Sequence, residues 1–254
     1  SPPIGTYILK TFAGSLFMMR NRAYPYRVWW SEQTSLFGST PESFMRNHYL
    51  DVDPSSGGIT GAQPVRSGAG DTTTPTMLVF QKTATNFLSG TYPDFTVGSL
   101  HQNAGLAGPS LVQTAPDNKV LWFGNKTFWM FDPAKGSVSD VGAPIRKKLS
   151  RVNNQKAGVG VSWAGTNVGE LVFALPMDDS KEPNMQFVWD HRNKGWRIKD
   201  DLNIKAAVVL KESDITLISG SYSTDDTKTS GLPDSVYAYG NSYAGFAFKE
   251  PKAI

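Results

Sequence analysis

The sequence predicts an all-β fold, a β-propeller or propeller-like array of about five or six blades of short antiparallel strands with long polar loops. Three observations predict it. The apolar segments are short and rich in β-branched and aromatic side chains, and Gly, Pro, Asn, Asp and Ser separate them. Helical period is hard to find. Strand centres near Val28, Leu78, Leu121, Val172 and Thr216 recur roughly every 40 to 50 residues, the length of a four-stranded blade.

In chain order, the first strand segments are Tyr7-Ile8-Leu9, Ser15-Leu16-Phe17-Met18-Met19 and Arg27-Val28-Trp29-Trp30. Met77-Leu78-Val79-Phe80, Val120-Leu121-Trp122-Phe123 and Thr127-Phe128-Trp129-Met130-Phe131 follow. The second half adds Leu171-Val172-Phe173-Ala174-Leu175, Gln186-Phe187-Val188-Trp189 and segments at 206–210, 215–218 and 235–239. Pro41 and Glu42 predict one short helix over residues 40–49, and the basic stretch 143–151 a further turn or two.

Two hairpins share one grammar: strand, turn, aromatic strand, Asp, polar turn, Gly, next strand. In the first, Gly124-Asn125-Lys126 joins two strands, and Asp132 through Gly136 leads onward. In the second, Asp190 through Gly195 leads into Trp196. The Asp is expected to accept backbone N–H groups inside its turn, and the Gly to supply the reversed φ that closes it. Asp132, Gly136, Asp190, Gly195 and Trp196 are thus the predicted turn and blade motif. Polar segments at 51–76, 83–113 and 221–234 are read as loops that contact partners or serve function. The whole chain, 1–254, is expected to form one domain, with 51–76 as an inserted excursion.

Composition narrows the function classes. Charged residues are 19% of the 254, below the roughly 25% usual for soluble domains, and aromatics are 12%. Such a chain buries ample apolar surface, and low charge fits a surface partly covered by partners. The balance of 25 basic against 22 acidic side chains is too even to imply nucleic-acid binding by itself. No cysteine is present, so disulfides and thiolate metal sites are excluded. The opening Ser1-Pro2-Pro3-Ile4-Gly5 does not read as a signal peptide, and no apolar run reaches the roughly 18 residues of a membrane-spanning helix.

Motifs for catalysis are weak. His48, His101 and His191 lack ligand spacing. The stretch 51–57 alternates oxygen-bearing side chains like a calcium loop, but its Gly falls one place late and Ala62 stands where a bidentate Glu belongs, so an ordinary turn is the better reading. Gly160-Val161-Ser162-Trp163-Ala164-Gly165 is one residue too long for a nucleophile elbow. The adjacent acids Asp178-Asp179, Asp200-Asp201 and Asp225-Asp226 read as solvated loops. No catalytic, cofactor or metal residue is expected. Arg146, Lys147, Lys148 and Arg151 are the candidates for phosphate or partner contact, with a solvated face as the plainer reading.

A set of phrases in fixed order resembles the β-propeller proteins of tailed-phage tails, including nozzle and head-stabilisation proteins of short-tailed phages. The phrases are Pro2-Pro3; Leu16-Phe17; Arg27-Val28-Trp29-Trp30-Ser31-Glu32; and Pro41-Glu42-Ser43-Phe44. They continue with Leu78-Val79-Phe80-Gln81-Lys82 before Asn86-Phe87-Leu88-Ser89-Gly90; Gly108-Pro109-Ser110 leading to Phe131-Asp132; and Trp189-Asp190 leading to Gly195-Trp196. The likeness runs from about residue 2 to 240 and has no counterpart for the loops 51–76 and 221–234. It implies a non-enzymatic structural protein of the virion tail or neck, made in the host bacterial cytoplasm. The implied partners are further copies in a homo-oligomeric ring around the DNA exit path, other tail or neck proteins, and phage DNA in passing. It implies no cofactor and no membrane. The alternative is a propeller recognition module for glycans or proteins, such as a receptor-binding tail component.

Overall fold

A computed structural model describes residues 5–33, 43–67, 74–165, 169–200, 202–210, 215–222 and 235–240. The chain is all-β. Its strands in order are β1 (Thr6–Phe12), β2 (Ser15–Asn21), β3 (Arg27–Trp30), β4 (Tyr49–Asp51), β5 (Ile59–Ser67), β6 (Thr74–Gln81), β7 (Thr85–Thr91), β8 (Asp94–His101), β9 (Val112–Thr114) and β10 (Val120–Gly124). There follow β11 (Thr127–Asp132), β12 (Ser137–Asp140), β13 (Val161–Gly165), β14 (Glu170–Leu175), β15 (Met185–Asp190), β16 (Gly195–Lys199), β17 (Leu202–Leu210), β18 (Ile215–Tyr222) and β19 (Ser235–Gly240). Each paired succession is an antiparallel meander of neighbours in sequence, the connectivity of a propeller blade. All the strand segments expected from the sequence lie in strands.

The contacts divide the chain into two compact units, residues 1–109 with 118–141, and residues 110–117 with 142–254. The first holds the sheets β1–β4 and β5–β8 and the succession β10–β12. Alternation of side chains along β1 to β3 turns Ile8, Phe12, Phe17, Met19, Val28 and Trp30 to one face. That face closes on Ile59, Ala62, Met77, Val79, Leu88 and Phe95 of the second sheet. Phe95 reaches across, with its ring 5.1 Å from Phe17 and 5.3 Å from Trp30, both edge to face. Strand β6 is buried on both sides: Phe80 points away from that core and packs 5.1 Å from Trp122 of β10.

Buried polar groups at this junction are satisfied. The Gln81 side-chain amide donates to the Asp53 carbonyl at 2.7 Å and the Gly57 carbonyl at 2.6 Å, and its oxygen accepts from Asn86 Nδ2 at 2.7 Å. Its backbone carbonyl accepts from Leu106 N at 3.0 Å, and the carbonyl of Phe123 accepts from Ala107 N at 3.0 Å. Residues 104–107 therefore run between the ends of β6 and β10. Gly105 and Gly124 permit this: a Cβ on Gly124 would lie 1.7 Å from the Gly105 carbonyl oxygen, and one on Gly105 would lie 2.1 Å from that of Lys82.

In the second unit, β13–β16 form a four-stranded sheet and β17–β19 a three-stranded one. Trp163, Val172, Ala174 and Val188 pack with Ile204 of β17. Beside β13, the Gln113 amide of β9 donates to both the carbonyl and the hydroxyl of Ser162 at 3.0 Å. Residues 143–149 form a short 3₁₀ turn and one helical turn, α1 (Arg146–Leu149), as expected for the basic stretch.

Three sequence expectations need correction. Residues 43–49 are not helical; the backbone pairs across instead, with Glu32 N donating to Ser43 O at 2.8 Å and Trp30 N to His48 O at 3.2 Å, and Tyr49 opens β4. Residues 40–42 lie outside the described residues. The stretch 51–76 is not an excursion, because it supplies β5, an edge strand that tolerates Pro64; its residues 68–73 lie outside the described residues. The stretch 83–113 likewise supplies β7, β8 and β9. The loop 221–234 lies outside the described residues from 223 onward.

The glycine contact is testable. Gly124→Ala forces backbone against backbone and should cost roughly 1–3 kcal/mol or more, whereas Gly136→Ala meets no atom within 4 Å and loses only its freedom at φ +61. Urea denaturation of both variants should show the larger drop for Gly124→Ala.

Candidate functional site

The outer face of the β1–β4 sheet is built from residues of opposite parity to the core. Register places Leu9, Met18, Trp29 and Tyr49 in one row across all four strands. Arg27 lies opposite Asp51 in the neighbouring row, on the side of Tyr7 and Arg20. Tyr7 is 72% exposed, Leu9 56%, Tyr24 45% and Tyr49 38%. Met18 and Trp29 stand half-buried between them.

Arg27 organises this face. Its guanidinium lies 3.9 Å from the Tyr49 ring centroid and 4.4 Å from that of Tyr24. Its fork meets Asp51 through Nε to Oδ1 at 2.6 Å and Nη2 to Oδ2 at 2.8 Å. The bond to Asp51 raises the Arg27 pKa above its ordinary value. Tyr24 also stands edge-on to Trp29, centroids 6.2 Å apart. The result is a rigid ledge of rings, since planar side chains held by cation–π and bidentate contacts lose little further entropy on binding.

Behind the sheet, His48 is 6% exposed and stacks on Trp30, with centroids 5.7 Å apart and planes at 13°. Tyr92 meets it edge-on at 5.5 Å. Neither His48 Nδ1 nor Trp30 Nε1 has a hydrogen-bond partner. Burial lowers the His48 pKa, and the nearby Glu32 carboxylate opposes that shift. This is an aromatic histidine of the core and no ligand cluster: among the described residues no three His, Cys, Asp or Glu side chains converge to hold a metal.

The predicted aspartates accept backbone N–H groups inside their turns, while only one of the two predicted glycines has the reversed φ. Asp132 Oδ1 accepts from Ala134 N at 3.1 Å. Asp190 Oδ1 accepts from Arg192 N at 2.9 Å and Asn193 N at 3.0 Å, and Oδ2 accepts from Asn193 Nδ2 at 2.7 Å. The bonds from Asn193 lower the Asp190 pKa most. Gly136 has the reversed φ, +61, but Gly195 does not; Lys194, at +51, carries it instead. Both positive-φ residues sit four places after their Asp, because Asp132 pairs with Ser137 and Asp190 with Gly195 around equal loops. Trp196 pairs with Trp189 across strands, centroids 5.1 Å apart.

The basic group divides. Arg146, Lys147 and Lys148 lie exposed on α1, whereas Arg151 is held by Asp178, Nε to Oδ1 at 2.9 Å and Nη2 to Oδ2 at 2.6 Å. This pair takes Asp178 out of any acid pair with Asp179. The calcium-like stretch is an ordinary turn: Asp53 caps a 3₁₀ helix through Ser55 N at 2.9 Å, and Asp51 serves Arg27. Asp225 and Asp226 lie outside the described residues. Among the described residues no helix is long and apolar enough to cross a membrane. The ledge itself was missed in the sequence, where Trp29 and Tyr49 carry no sign of sharing a row.

No family model matches the chain, and no curated protein matches it. Among solved structures it is similar to a crystal structure of the eukaryotic initiation factor, at 12% identity over 92% of this chain and 50% of that one, TM-score 0.45. It is also similar to the extracellular domain of a putative hybrid two-component system from B. thetaiotaomicron, at 11% identity over 94% of this chain and 33% of that one, TM-score 0.42. The chain thus spans half or less of the length of these structures.

Two measurements check the local chemistry. Lys194→Gly should stabilise the protein by about 0.5–1 kcal/mol in denaturant titration, because Gly adopts the reversed φ without steric cost. For His48 the folded-state pKa is depressed, so the unfolded chain takes the proton first. Its contribution is therefore full above about pH 6.5 and is lost as pH falls through the folded-state value. The thermal midpoint of the wild type should drop over that interval, and His48→Phe should flatten the drop.

Proposed function

We propose that the chain is a non-enzymatic structural protein of a phage virion, in the tail or neck, assembling into a ring around the DNA exit path. The ledge of exposed Tyr24 and Tyr49 and half-buried Trp29 around Arg27, with exposed Tyr7 and Leu9 beside it, carries this reading, because a surface of that kind serves contact. The ordered phrases from Pro2-Pro3 to Gly195-Trp196 support its placement in a tail. The role is mechanical. Rigid meanders present fixed faces, and repetition of one contact under cyclic symmetry closes a ring.

The second reading, a recognition module for glycans or proteins, draws on the same exposed tyrosines, since rings on a flat sheet also stack against ligands. Location separates the two. Gold-labelled antibody against the chain should mark the tail or neck of purified particles, in several copies per particle by quantitative mass spectrometry. Absence of the chain from purified particles would overturn the proposal. A few copies confined to the distal tip would favour recognition.

A further inference from the structure

We infer that residues 142–160, the connection into β13, form a binding surface for the phosphate backbone of duplex DNA, with Lys147, Lys148 and Lys156 as its cationic contacts. The inference goes beyond the virion reading and does not depend on the ring. The connection holds only single helical turns, and connections longer than roughly 12–15 residues without longer elements are uncommon in a compact fold unless functional or disordered. This one is pinned. Leu149, Val152 and Ala157 are buried beneath it. Val152 bridges to Met177, Asp178 N donates to Arg151 O at 2.7 Å, and Asn153 N donates to Pro176 O at 2.9 Å. The Asn153 side-chain amide donates to Ser180 O at 3.0 Å. An irregular backbone fixed at so many points presents its outward side chains in one arrangement.

Its outward chemistry is that of a phosphate contact. Arg146, Lys147, Lys148, Gln155 and Lys156 are exposed, and residues 142–160 contain no acid and no aromatic ring. Among the described residues no ion pair engages Lys147, Lys148 or Lys156. The neighbouring loop between β14 and β15 brings Asp178, Asp179, Lys181 and Glu182, and Arg151 already holds Asp178. Together the two stretches carry six cations (five from 142–160 and Lys181) against those three acids. Lys199 and Asp200, at the end of β16, offset one another. The absence of rings decides among polyanions. Interfaces between proteins concentrate aromatic residues, Met and Arg and are poor in Lys. Single strands are gripped by stacking their bases on rings. Lysines with a side-chain amide and no ring suit duplex backbone, which such groups hold through its phosphate oxygens without reading the sequence.

Fluorescence anisotropy of a labelled DNA duplex titrated with the full chain tests this. The wild type should bind two duplexes of unrelated sequence alike. Its affinity should fall by on the order of 40-fold between about 50 and about 200 mM salt, the dependence of about −0.9 per phosphate for about three contacts. K147E/K148E/K156E should lose binding by roughly 10-fold or more at the lower salt, together with most of the salt dependence. R22E/K126E/K135E, which reverses three exposed cations of the first unit, should match the wild type. Unchanged denaturation midpoints exclude misfolding, and the wild-type salt dependence stands without any variant. No binding at the lower salt, equal loss in both triple variants, or affinity that depends on sequence would overturn the inference while leaving the particle-localisation test intact. So would displacement of the duplex by polyglutamate as readily as by unlabelled duplex, which would give the surface to an acidic protein. Tighter binding of an oligothymidylate than of the duplex would also overturn it and give the surface to single strands.

Discussion

Where residues 104–107 pass between the ends of β6 and β10, three stretches of backbone touch with no side chain between them. The Gly105 carbonyl lies against Gly124, and Gly105 lies against the Lys82 carbonyl. Ala104 O accepts from Trp122 Nε1 at 3.2 Å and also from the Thr85 hydroxyl, so the segment carries two anchors as well as its backbone bonds. Any Cβ here would push β10 from β6, separate Phe80 from Trp122, and strip the Gln81 carbonyl of its donor. A buried carbonyl left unpaired costs more than the bond itself contributes. The packing of β6 against β10 in the first unit rests on this contact.

Much of the fold was legible because local pattern and burial agree. Strands β10, β14 and β15 are continuous apolar runs and are buried on both faces. Among the strands that escaped, β5 and β8 are rich in Thr, Ser and Gly, so their composition reads as loop. What places them is non-local. Leu106 covers Gly61, and the Phe87 ring covers Gly98, leaving no room for a side chain at either position. The turn grammar was legible at Asp132 and Asp190, but a conspicuous Gly195 masked the fact that the strained position belongs to Lys194.

The ledge was illegible for a related reason. Arg27 and Asp51 are 24 residues apart, and Tyr49 reaches Trp29 only because β4 pairs back onto β3. Single-strand alternation shows which residues share a face. It does not show that four strands align their exposed rings. The basic stretch shows the converse: of four cations close in sequence, Arg151 is engaged by Asp178, 27 residues away, a pairing that local sequence does not reveal.

The proposed function rests on the surface of the β1–β4 sheet. The buried histidine is held by rings, Asp51 and Asp178 are engaged by arginines and Asp53 and Asp190 by their turns, and Tyr7, Leu9, Tyr24 and Tyr49 stand exposed at the β1–β4 sheet. Hydroxyl-radical footprinting of dilute and assembled protein tests that claim most directly. Tyr7, Met18, Tyr24, Trp29 and Tyr49 should all lose reactivity on assembly, while Trp129 and Trp196 keep theirs. Unchanged oxidation of those five side chains in the assembled state would contradict it.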